Sequence, residues 1–140
     1  MREISVKRVT EEVRRLCIEA NTLLGDDVVK ALKIALKEEE SPIGQKVLKQ
    51  ILENAEIARK EGLALCQDTG FAVVFVELGQ DVVIVGGGLN DAIVEGVRQG
   101  YRDGFLRKSI VLDPITDPHN SGDNTPPIIH FEIVPGDRLT

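Results

Sequence analysis

The chain is poor in several things whose scarcity narrows its class. Two cysteines in 140 residues, Cys17 and Cys66, are too few and too far apart for a disulfide scaffold, and they suit a reducing compartment. The two histidines, His119 and His130, sit near neither cysteine, so the sequence holds no Cys/His pair at metal-ligand spacing. Its longest apolar runs, Phe71 to Val76 and Val82 to Val85, fall far short of the roughly 18 residues that a bilayer crossing requires. Met1 to Thr10 lacks the apolar core of a secretory signal. A cytoplasmic location is expected. Cations are scarce downstream: residues 1–65 carry 12 basic and 12 acidic side chains, but residues 66–140 carry 5 basic and 11 acidic. Nucleic-acid binding relies on a surplus of Lys and Arg to displace phosphate counterions, so this balance argues against a DNA or RNA partner. No internal repeat or low-complexity tract is present.

What remains is the balance of an ordinary globular domain, 42% hydrophobic and 29% charged. Val9, Val13, Leu16, Cys17, Ala20 and Leu24 recur at helical spacing and predict an amphipathic helix closed by Gly25. Asp26 is placed to cap a second helix, which runs to the charged stretch Lys37 to Glu40. Ser41-Pro42 predicts the start of a third, burying Val47, Leu48, Ile51, Leu52, Ala55 and Ala58 and ending at Gly62. The texture then changes. Phe71 to Val76 and Asp81 to Val85 read as two strands joined by a tight turn, with unbroken apolar character that predicts burial on both faces. Asn90 can cap a fourth helix over Asp91 to Tyr101, and the row Gly96, Gly100 and Gly104 predicts a second backbone packed closely against it. A long loop through Pro114 to Pro127 leads to a final alternating strand, Ile128 to Val134. The expected fold is α+β: an amino-terminal three-helix bundle over residues 1–62, then a small mixed β-sheet with one covering helix over residues 63–140. The abrupt stop after Val134-Pro135-Gly136-Asp137 suggests one part of a longer polypeptide.

Few residues stand out as carriers of chemistry. Cys17, on an apolar helix face, reads as core packing. Cys66 opens a dense polar turn, Cys66-Gln67-Asp68-Thr69-Gly70, where an incidental cysteine, a nucleophile and a metal ligand all remain open. Gly86-Gly87-Gly88, between a strand and a helix, is either a structural turn or a backbone cradle for an anion; the complete dinucleotide pattern and a phosphate-binding Lys are both missing. Arg107, one of few downstream cations, is either a surface ion pair or a bidentate carboxylate clamp.

Five segments in this order resemble the amino-terminal part of the α subunit in the class I fumarase and L-tartrate dehydratase family. They are Cys66-Gln67-Asp68-Thr69-Gly70, Gly86-Gly87-Gly88, Leu106-Arg107-Lys108-Ser109, the Asn120 to Pro126 run, and Val134-Pro135-Gly136-Asp137. The resemblance implies a hydro-lyase that hydrates fumarate to malate or dehydrates tartrate with an oxygen-labile 4Fe-4S cluster, whose open iron serves as a Lewis acid. It implies that Cys66 is one cluster ligand, that Gln67, Asp68 and Arg107 contact substrate, and that Asp68 takes part in proton transfer. The remaining ligands and the catalytic base would lie outside this chain, the base on a β subunit or carboxy-terminal β domain. The chain alone is then expected to be inactive, and the enzyme to act on a C4 dicarboxylate as a homo- or hetero-oligomer. The competing expectation is a non-catalytic module that binds a small anion through the Gly86–Asp91 turn and Arg107.

Overall fold

Capping chemistry sets the helix boundaries. A computed structural model describes residues 1–66 and 70–140 and places them in an α+β fold. The elements are β1 (Arg2–Ser5), α1 (Val6–Thr22), α2 (Asp26–Glu38), α3 (Pro42–Glu61), β2 (Val73–Gly79), β3 (Val82–Val85), α4 (Leu89–Asp103), β4 (Val111–Leu112), β5 (His119–Asn120) and β6 (Ile128–Val134). They form two compact units, one of Met1–Cys17 with Asp68–Thr140 and one of Ile18–Gln67. The chain changes unit twice, within α1 after Cys17 and again after Gln67, while the first half of α1 packs on α4.

In the helical unit, α3 starts as its sequence predicts: Ser41 Oγ accepts from Gly44 N–H at 3.4 Å, Pro42 occupies the first helical position, and Gly62 closes the helix in the left-handed region at φ 66°. Asp26 does not cap α2. Gly25 is the N-cap and makes no side-chain cap bond, while Asp26 and Asp27 lie in the first turn, where their charge favours the helix dipole. The expected buried face of α3 is also narrower than its periodicity implies. Ala55 and Ala58 are buried and Leu48 and Leu52 half-buried, but Val47 and Ile51 are 47% and 42% exposed. A 20-residue helix in so small a unit has too little partner surface to cover its whole apolar stripe.

The other unit is built on parallel pairs. β1 pairs with β3 from Arg2↔Val82 to Ser5↔Val85, β2 pairs with β6 from Val73↔Ile128 to Gly79↔Val134, and β4 and β5 form a short antiparallel pair. The two strands read as neighbours across a tight turn are consecutive but do not pair with each other. The turn's backbone groups are already engaged: Gln80 N–H donates to Val134 O and Asp81 N–H to Gly136 O, each at 2.9 Å, while Asp81 O accepts from Arg2 N–H at 2.8 Å. The expected burial of β2 on both faces is likewise corrected, since Val76 is buried but Phe75, stacked on the His130 ring, is 75% exposed. No layer covers that face among the described residues.

The core of this unit gathers Ile4, Val9, Val13, Ile93, Val97, Leu106 and Ile110. The glycine row does what close packing predicts. A Cβ on Gly96 would sit 2.6 Å from Val13 Cβ and 2.8 Å from Thr10 O, and one on Gly100 would sit 2.6 Å from Cys17 Cβ. Across this contact Thr10 Oγ1 donates to Ala92 O at 3.0 Å and Arg14 Nε donates to Asp103 Oδ2 at 2.6 Å. Asn90 does not cap α4; it lies inside the helix, whose N-cap is Gly88.

Candidate functional site

The motif residues distribute over both units. In the helical unit, Cys66 follows the Gly62 cap as an exposed residue whose backbone N–H donates to Asn54 Oδ1 of α3 at 3.0 Å. One residue earlier, Leu65 N–H donates to Asn21 O at 2.8 Å, so two successive amides are held by neighbouring helices. Cys66 is one of the residues that line an apolar hollow of about 560 Å³, with Leu24, Val47, Gln50, Ile51, Asn54 and Leu65. Gln67 and Asp68, expected to contact substrate, lie outside the described residues.

In the other unit the organising residue is Asn124. It is completely buried, with φ 58°, a left-handed conformation that Asn tolerates better than most residues. Its Oδ1 accepts from Ser109 N–H at 2.6 Å and Ile110 N–H at 3.0 Å, and its Nδ2 donates to Gly70 O at 3.1 Å. The end of the Cys66 to Gly70 motif, the backbone following Arg107 and the Asn120 to Pro126 loop are thereby joined through one amide. Tyr101 of α4 also hydrogen-bonds Asn124; burial raises its phenol pKa, against that bond. In the sequence Asn124 is one of two asparagines in the turn-forming Asn120 to Pro126 run, and turn propensity alone assigns it no role.

The same loop is clamped from α4. Arg98 Nε donates to Asp123 Oδ2 at 2.8 Å and also pairs with Glu95, while Asp123 Oδ1 accepts from Thr125 N–H at 3.0 Å and Thr125 Oγ1–H at 2.7 Å. Burial pushes the Asp123 carboxyl up, but the bonds from Arg98 and Thr125 outweigh it and leave the group below the ordinary carboxylate value. Arg107 itself is exposed and is flanked by buried Leu106, whose N–H donates to Tyr101 O at 3.0 Å. Next along the chain, the Ser109 hydroxyl oxygen is buried and has no hydrogen-bond partner among the described residues.

The Gly86–Asp91 turn is explained by conformation. Gly86 and Gly87 take φ of 91° and 156°, and a Cβ at either would meet Val6 only at ordinary contact distance. At the α4 N-terminus the Asp91 carboxylate curls back toward Gly88, such that a Cβ there would lie 2.8 Å from Asp91 Oδ2. The helix end carries its own anion, which weakens the case for an external one.

Among the described residues no group of three or more Cys, His, Asp or Glu side chains could hold a metal ion. Cys17 packs against Gly100, and burial pushes its thiol pKa up to about 11, so it is a poor thiolate donor. A cubane cluster draws on several thiolates, so the described residues do not form its site by themselves; Cys66 is the one cysteine exposed enough to contribute. No helix among the described residues is long and apolar enough to cross a membrane.

The family model for fumarate hydratase (Fumerase) matches residues 10–140, and the chain belongs to that family. It is 35% identical over 128 residues to a Methanocaldococcus jannaschii protein bearing the name L(+)-tartrate dehydratase subunit alpha, covering 85% of this chain and 43% of that one. It is 30% identical over 134 residues to the L(+)-tartrate dehydratase subunit alpha of Escherichia coli strain UTI89, covering 94% of this chain and 43% of the relative. It is also 40% identical over 91 residues to the anaerobic class I fumarate hydratase of E. coli K12, covering 64% of this chain and 16% of the relative. The chain thus spans less than half the length of these curated relatives.

Proposed function

We propose that the chain is part of a cytoplasmic iron-sulfur hydro-lyase that interconverts fumarate and malate or dehydrates tartrate. It acts together with a β subunit or carboxy-terminal β domain, within a homo- or hetero-oligomer. In this reading Cys66 supplies one ligand of a 4Fe-4S cluster whose other ligands lie outside the chain. Gln67 and Asp68 contact the C4 dicarboxylate, Asp68 takes part in proton transfer, and Arg107 grips a carboxylate with its planar fork. The observation that carries the reading is the Asn124 junction: it ties Gly70, at the end of the cysteine motif, to the backbone just after Arg107. The junction supports the reading because it brings Gly70 and the residues that follow Arg107 onto one side chain, and positioning catalysis relies on fixed relations of that kind. The anion-module alternative draws on Arg107 and the Gly86–Asp91 turn, where the Asp91 carboxylate already lies beside the helix end.

The test uses the assembled enzyme with its complete α and β parts. Arg107→Lys keeps the charge and loses the fork, so kcat/KM for fumarate or tartrate should fall by about tenfold or more at unchanged cluster content. Anaerobic reconstitution of the 140-residue chain alone should yield no stoichiometric cluster. Wild-type kcat/KM in both Arg107→Lys and Arg107→Ala, with a full cluster, would remove Arg107 from the site.

A further inference from the structure

The backbone on both sides of Arg107 is gripped by other elements. Before it, Leu106 is buried and its N–H donates to Tyr101 O at 3.0 Å. After it, the loop from Asn120 to Thr125 takes hold of three successive residues. Asn120 Nδ2 donates to Lys108 O at 3.0 Å, Asn124 Oδ1 accepts from the Ser109 and Ile110 N–H groups, and Ser121 N–H donates to Ile110 O at 2.8 Å. The loop in turn is tied to α4. Asp123 Oδ1 closes a turn across Asn124 onto Thr125 N–H, while Asp123 Oδ2 accepts from Arg98 Nε–H at 2.8 Å. The other side of the Arg98 guanidinium pairs with Glu95, which Gln99 Nε2 holds at 2.8 Å. A planar fork engaged at two corners has one orientation, and the point charge of a Lys would not reproduce it.

We infer that Arg98 is a positioning residue for Arg107: through Asp123 and the turn across Asn124 it fixes the backbone that aims the Arg107 guanidinium at a substrate carboxylate. The inference rests on the carboxylate role proposed above for Arg107. Arg98 is not a second substrate clamp, because its guanidinium is already committed to the carboxylates of Asp123 and Glu95. Its contribution is to the place of a neighbouring side chain. A displacement of about 1 Å in a positioned group can cost about a hundredfold in rate, so loosening this support lowers turnover even with Arg107 intact.

A double-mutant cycle in the assembled enzyme tests this. Arg98→Ala should lower kcat/KM by about tenfold at unchanged cluster content, but by less than about twofold when Arg107 is already Ala, because a residue acting through Arg107 has nothing left to position. A residue that only stabilised the fold would act alike in both backgrounds. Asp123→Asn keeps an acceptor for Thr125 and loses the charge that holds Arg98, so it should reproduce the loss, and it carries the same cycle if Arg98→Ala fails to fold. In the 140-residue chain, amide exchange followed by NMR gives a reading free of cluster and substrate: in Arg98→Ala the Ser109 and Ile110 amides should exchange about tenfold faster, a larger rise than at Val97 in the core of α4. Equal losses with and without Arg107, wild-type kcat/KM in a folded Arg98→Ala enzyme that still responds to Arg107→Ala, or unchanged exchange at Ser109 and Ile110 overturns the inference and leaves the carboxylate reading standing. Indifference to Arg107→Ala overturns that reading, and this inference with it.

Discussion

Replacing Asn124 tests whether one buried amide holds the candidate site together. In Asn124→Ala the backbone N–H groups of Ser109 and Ile110 lose their acceptor and Gly70 O loses its donor. Each orphaned group costs about 1–3 kcal/mol when water cannot reach it, and Ser109 is only half-buried, so the two amides together account for roughly 2–4 kcal/mol. The backbone adds to this: at φ 58° an alanine is strained by about 1 kcal/mol, and a glycine is not. The expected loss is therefore about 3–5 kcal/mol for Asn124→Ala, a large share of the roughly 5–15 kcal/mol that stabilises a domain. Asn124→Gly should be milder by about 1 kcal/mol, the reverse of the usual Ala-over-Gly order. Urea unfolding followed by the fluorescence of Tyr101, the single tyrosine, reads this unit because Tyr101 contacts Asn124 itself. A loss below about 1 kcal/mol for Asn124→Ala, or an alanine variant at least as stable as the glycine one, would refute the reasoning.

Two other outcomes follow from packing and burial. Gly96→Ala gains about 1 kcal/mol of helix propensity but drives a methyl to 2.6 Å from Val13 Cβ and 2.8 Å from the Thr10 carbonyl, so it should be net destabilising by about 1–3 kcal/mol in the same urea assay; a stabilised variant would show that α1 yields easily. With iodoacetamide near neutral pH, mass spectrometry should find Cys66 alkylated well before Cys17, and Cys17 should catch up only as pH rises toward its value of about 11 and its thiolate forms; faster modification of Cys17 would contradict its burial.

Where a signal was local, the sequence carried it. The Ser41-Pro42 start and Gly62 stop of α3, the Ile128–Val134 strand and the close approach at Gly96 and Gly100 could all be read from residue type and spacing, because caps, alternation and small side chains act over a few residues. Strand partners could not. Nothing within Phe71 to Val85 says that β2 seeks β6 and β3 seeks β1, since parallel pairing depends on segments distant in the chain. The exposed side chains of Val47, Ile51 and Phe75 look like core because periodicity reports apolar character and not the surface available to cover it. At the candidate site, the motif containing Arg107 was legible as a motif, but the work of Asn124 rests on burial, a left-handed backbone and partners 14 to 54 positions away. Those three properties exist only once the chain has folded.

β1 gives the order of events during synthesis an unusual constraint. Arg2 pairs with Val82, 80 positions later, and its N–H donates to Asp81 O. At ribosomal speeds of about 5–20 residues per second, β1 waits roughly 4–16 seconds before its partner exists. During that time it is an unprotected edge in a crowded setting. Its composition suits the wait: Arg2, Glu3 and Ser5 remain exposed even in the finished protein, and Ile4 alone is buried, so the nascent segment offers other chains a single apolar side chain between charged and polar neighbours.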